Sequence, residues 1–226
     1  MTQPLMSTMM GAISANLSSI NPQLTTTLGG VTGRPAAGTD DVYECFLLFE
    51  ILQELQNCKA TNIKSNPSNQ PIDFRRSPGN FNSAPSKFSY ISFFYDKKDY
   101  ELHVSTMVQT TARNARCELD VAIFDADVRQ RSEPTHRDVK LFVEAKYYSD
   151  NIDISLAREF IGLSHRMSTK KCFGTLVTCA GIDPNAKALI QGGWRKFRCH
   201  EDVSLNRNGL AKLRSDIKSE IKQIFS

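Results

Sequence analysis

Glu118-Leu119-Asp120-Val121 and, after a connection, Val143-Glu144-Ala145-Lys146 are the two segments whose reading decides the fold. Each is an apolar strand carrying acids on one face. A strand sends residues i and i+2 to the same side, about 6.6 Å apart at roughly 3.3 Å per residue. Glu144 and Lys146 therefore share a face, while Val143 and Ala145 turn the other way into a core. Glu118 and Asp120 share a face by the same rule, with Leu119, Val121 and Ile123 expected on the core side. Two such strands side by side gather carboxylates and one ammonium at one edge of a sheet. Carboxylate oxygens suit Mg²⁺, which takes few protein ligands and keeps waters for a phosphate substrate. A lysine beside them can position or polarise an attacking water. The pattern points to phosphodiester hydrolysis.

The chain of 226 residues has room for one domain of ordinary size and a tail. An apolar content of 40% with 23% charged residues describes a globular protein. No apolar run approaches the roughly 18–20 residues that cross a bilayer, so no membrane role is expected. The first 33 residues contain no Lys, Arg, Asp or Glu. That leaves no basic leader of a secretory signal and no Arg-rich transit peptide, and a cytoplasmic location is expected. The six cysteines are scattered without a Cys-x-x-Cys pair, which reads as buried free thiols. The four histidines do not cluster, so zinc has little support.

Net charge is +4, but residues 155–226 carry +7 and residues 1–154 carry −3. The acidic part holds the candidate metal ligands, and the basic part can track phosphates. An ordinary solvated surface explains the basic part equally well.

Residues 1–38, rich in Ser, Thr, Met, Gly and Pro, read as a poorly ordered N-terminal arm or interaction segment, with the domain spanning 39–226. Asp40-Asp41 caps a helix to about Asn57, so apolar that it should be largely buried. Residues 60–85 carry Asn, Ser, Pro and Gly clusters and read as a long loop. Strands are expected over Phe88–Tyr95, Tyr100–Val104, Cys117–Asp125 and Val139–Tyr148, with Ala126–Asp138 a charged, exposed connection. Leu156, Phe160, Leu163 and Met167 then recur at helical spacing. Cys172–Cys179 suits a buried strand, Pro184–Ile190 a helix ended by Gly192-Gly193, and Trp194–Cys199 a last strand. A C-terminal helix turns Leu210, Leu213, Ile217, Ile221 and Ile224 inward. The order predicts an α/β protein, a central mixed β-sheet flanked by helices.

On these residues the chain resembles the PD-(D/E)XK, or restriction-endonuclease-like, nuclease superfamily. Asp120 matches the first motif's Asp, with Leu119 where the motif has proline. Glu144-Ala145-Lys146 matches the (D/E)-x-K, and Glu44 matches the extra acid that many members place near the metal. The resemblance covers about 40–204 and implies a restriction-endonuclease-like core. It also implies an Mg²⁺-dependent DNA endonuclease, with Mn²⁺ able to substitute, that leaves a 5′-phosphate and a 3′-hydroxyl. Asp120 and Glu144 would bind the metal, and Lys146 would assist the attacking water. Defence against foreign DNA is the setting that the family suggests.

Each residue also has a plainer reading. A charge amid Leu119, Val121, Ala122 and Ile123 is expensive unless paired or bound to metal, which favours function for Asp120. Glu144 and Lys146 alone would make an ordinary ion pair; Asp120 adds an acid that a simple pair does not need. Glu44 lies on the apolar stripe of its helix with Leu47, Leu48 and Ile51, where an acid is anomalous, whereas Glu50 and Glu54 lie nearer a polar face. Glu118 is either a metal ligand or a strand-edge acid. Arg158, Lys170 and Lys171 are candidate phosphate contacts, and solvated surface is the simpler reading of each. No separate DNA-recognition domain is apparent, so specificity would come from a protein partner, from DNA structure or from the arm, and a homodimer would let two sites cut both strands. Two alternatives stay open: a catalytically silent nucleic-acid- or protein-binding module, and an RNA-directed nuclease.

Overall fold

The computed structural model describes residues 11, 39–66, 78–81, 88–112, 115–130, 133–167, 172–192, 197–204 and 208–225. The arm (Gly11 apart) and Lys170-Lys171 lie outside the described residues. In chain order the elements are α1 (Thr39–Asn57), β1 (Thr61–Asn66), β2 (Tyr90–Tyr95), β3 (Lys98–Gln109), β4 (Arg116–Asp125), a 3-10 turn (Ala126–Gln130) and β5 (Val139–Lys146). Then follow α2 (Ile154–Arg166), β6 (Phe173–Thr178), α3 (Pro184–Gln191), β7 (Phe197–His200) and α4 (Asn208–Ile224).

The seven strands form one sheet in sequence order. β1 to β5 run antiparallel to their neighbours, whereas β5, β6 and β7 are parallel. Parallel neighbours need a crossover, and α2 and α3 are those crossovers. Their starts are written in the sequence. Asp153 accepts from the backbone N–H groups of Ser155 and Leu156, and Asp183 accepts from Asn185 and Ala186 with Pro184 next to it.

Both faces of the sheet are covered. On one, α1 and α4 bury Phe46, Leu47, Ile51, Leu213 and Ile217 against Leu102, Val121, Ile123 and Val143. On the other, α2 and α3 bury Phe160, Ala186 and Ile190 against Phe124, Phe142 and Leu176. The central strands are therefore apolar on both sides, as at Leu141-Phe142-Val143 of β5 and Leu176-Val177 of β6. Among the described residues no helix is long and apolar enough to cross a membrane. All six cysteines are free.

Several expectations need correction. The loop expected over 60–85 begins with β1, whose Thr-Asn-Ile-Lys-Ser-Asn carries no apolar alternation because it is an edge strand held by backbone pairing to β2. β3 runs on to Gln109, five residues past Val104. The connection after β4 is not wholly exposed: Val128 is in the second core and buried Asp138 accepts from the N–H and hydroxyl of Thr135. Glu50 and Glu54 are buried, because α4 packs over that side of α1 and Arg214 Nε donates to Glu50 Oε2 at 2.5 Å. Leu119 packs with the second core while Val121 and Ile123 pack with the first. The alternation resets at Asp120, opposite Ser105, whose φ of 47° breaks the regular pleat of β3.

Candidate active site

The site lies where β4 and β5 part. Their ladder is regular through Val121 opposite Val143. Beyond that pair the Ala145 backbone N–H donates not to a strand carbonyl but to Asp120 Oδ2, at 2.8 Å. One carboxylate oxygen thus does the work of the next ladder acceptor and fixes Asp120 against β5. Lys146 Nζ lies 2.6 Å from Glu144 Oε1 and 3.8 Å from Asp120 Oδ2. The period of two sets Glu144 and Lys146 on one side of β5, and the Ala145 bond holds Asp120 beside them.

Two more acids join from neighbouring elements. Glu44, on α1, accepts from the Ser105 hydroxyl at 3.0 Å through Oε2. Glu118, on β4, is half-buried, and Ser105, Asp120 and Lys146 all act on its charge. Asp120 is only 9% exposed. Four carboxylates with one ammonium leave an excess of buried negative charge, and every acid responds by holding its proton more tightly. Burial, then the charge on Asp120, pushes Glu44 up to about 9, although the Ser105 hydrogen bond opposes the shift. Burial and Asp120 likewise push Glu144 up to about 7 against the pull of Lys146. Asp120 is raised by burial, with Lys146 and the Ala145 N–H opposing. Burial and Asp120 raise Glu118 as well. Lys146 is held protonated: burial disfavours its charge, and Glu144 and Asp120 outweigh it.

This donor set fits a hard divalent cation. It offers only oxygen ligands, its charge is under-compensated, and Mg²⁺ uses one or two carboxylates together with waters. Among the described residues no three His, Cys, Asp or Glu side chains are already drawn together as a ready-made cage. Asp120 and Glu144 are the nearest pair to the lysine, and Glu44 and Glu118 stand behind them.

Arg158 is exposed on α2 and takes no part in the ion pairs of this cluster. Ser105 was not foreseeable from pattern. It sits in His-Val-Ser-Thr-Met-Val, where a hydroxyl inside a strand carries no signal, and its positive φ leaves no mark in the residue type. Comparison of the chain with family models, with curated proteins and with solved structures gives no match.

Proposed function

We propose that this chain is a divalent-metal-dependent endonuclease of the PD-(D/E)XK kind, acting on DNA phosphodiester bonds. The observation that carries the reading is the meeting of Asp120, Glu144 and Lys146 at the parting of β4 and β5. A simple ion pair would need neither the second acid nor its anchoring by a backbone N–H. Mg²⁺, or Mn²⁺ in its place, supplies charge neutralisation at a phosphate and acidifies water when bound.

The protein's own groups do the rest. Asp120 and Glu144 would hold the cation, with Glu44 and Glu118 as further acids of the site. Asp120 cannot swing away, because Ala145 grips one of its oxygens. Lys146 stays protonated and sets a positive charge where negative charge builds on the phosphoryl oxygens. A bound cation would favour the deprotonated forms of Glu144 and Glu44, whose carboxyls are held up to about 7 and about 9 without it. Metal binding of this kind releases protons.

The test is a panel of supercoiled plasmid, linear duplex, single-stranded DNA and RNA, each incubated with Mg²⁺ or Mn²⁺. Cleavage of one of the DNAs, abolished by chelator, supports the reading and identifies the strandedness preferred. Cleavage of RNA alone would replace the substrate class. No cleavage of any substrate, with no Mn²⁺ bound, would leave a binding module on this scaffold.

A further inference from the structure

Ser105 is held in a backbone conformation that its residue type disfavours. Its φ is 47°, in the left-handed region, in the middle of a twelve-residue strand. Serine has no glycine-like freedom there, and such a conformation persists only where its surroundings impose it. Two features show what is gained. Ser105 stands opposite Asp120 in the β3–β4 ladder, between the pairs Val104–Val121 and Thr106–Leu119. Its hydroxyl donates to Glu44 Oε2 at 3.0 Å and also acts on Glu118. The residue is 3% exposed, so water does not compete for that proton.

We propose that Ser105 is a positioning residue: its strained backbone delivers one hydroxyl between Glu44 of α1 and Glu118 of β4, and so aligns the helix-borne and strand-borne acids around the cation site. This hydrogen bond ties the Glu44 side chain to the strand that pairs with β4. Without it, a carboxylate on a helix would be free to turn toward solvent. The hydroxyl has one proton and two carboxylate neighbours, which suits a hinge between two ligands better than a fixed bond to either. A residue behind a metal ligand commonly changes metal affinity by about 10-fold to 100-fold when removed.

The same backbone has a structural use, and the test must separate the two. Gly79 N–H donates to the Ser105 carbonyl at 3.2 Å and Met107 N–H donates to the Gly79 carbonyl at 3.0 Å, so the kink also docks the segment 78–81. Ser105→Gly divides these roles. Glycine adopts the positive φ without strain and keeps both backbone bonds, but it removes the hydroxyl. Ser105→Ala removes the hydroxyl and keeps the strain.

The inference rests on the reading of the site as a metal-dependent nuclease, and the experiment is chosen to tell their failures apart. Mn²⁺ binding is measured by titration calorimetry on wild type, Ser105→Gly and Ser105→Ala, with thermal melts of each. The expected result is Mn²⁺ binding weakened about tenfold or more in Ser105→Gly while its melting temperature equals or exceeds that of wild type. In cleavage, the Mg²⁺ needed for half-maximal rate should rise by the same factor, with the rate at saturating Mg²⁺ little changed. Ser105→Gly binding Mn²⁺ as tightly as wild type would overturn the role of Ser105 and leave the nuclease reading standing. A wild type that binds no Mn²⁺ would overturn both.

Discussion

Glu44 holds a proton in the folded, cation-free protein, since burial and the charge on Asp120 move its carboxyl from 4.5 up to about 9. Between those values the native state keeps a proton that the unfolded chain has released. Stability therefore falls as pH rises through this window, and no difference remains below it. Glu44→Gln fixes the neutral form. It is expected to melt higher than wild type near pH 9, a difference of several kcal/mol at roughly 1.4 kcal/mol per pKa unit, and equally near pH 4. Melting temperatures that track each other across the range would show that Glu44 is better solvated than described. Glu44 was legible because an acid interrupts the apolar stripe of α1. Asp120 was legible because a charge in mid-strand needs a reason, and Glu144 and Lys146 because they stand two apart. Ser105 and the Ala145 N–H were not. One depends on a dihedral angle and the other on a backbone group that every residue has.

At the scale of elements, periodicity found what amphipathic segments reveal. α2 and α4 pack the faces expected of them, α3 spans the expected residues, and β4 and β5 lie within a residue or two of their predicted bounds. It failed where packing surrounds an element. α1 is covered nearly all round, so no polar face exists on which to place Glu50 and Glu54. β1 carries no apolar stripe at all. The cluster of buried Glu101 and His103 with half-buried Arg129 was invisible for another reason. Its members come from β3 and the turn after β4, with Arg129 Nε donating to Glu101 at 2.5 Å and its guanidinium 3.9 Å above the Tyr90 ring. The Glu50–Arg214 pair makes a prediction at this scale. Removing Arg214 takes the guanidinium from Glu50, which is enclosed between α1 and α4. Arg214→Ala should lose about 3 kcal/mol in urea unfolding, at the low end for a broken buried pair because Arg214 is partly solvated. Glu50→Gln with Arg214→Met should recover most of that loss. Equal losses in the single and double variants would mean that packing, not charge, dominates there.

For the molecule as a whole, one sheet sandwiched between two helix pairs sets a rigid frame, and the polar cluster occupies the point where that frame opens. The acids sit on α1, β3's neighbour β4, and β5, so three elements distant in sequence must dock before the site exists. The last third of the chain, residues 155–226, carries a net +7 and supplies β6, α3, β7 and α4. Under the proposed function, a polyanionic substrate would meet the acids through the cation they would hold. The central claim is tested most directly by cleavage of supercoiled plasmid in Mn²⁺ by wild type, Asp120→Asn and Lys146→Ala, each first shown to melt cooperatively. The expected result is cutting by wild type, suppressed by chelator, and a rate lower by about 10²-fold to 10³-fold in each variant. Cutting that survives both substitutions at the wild-type rate would contradict the assignment of this site.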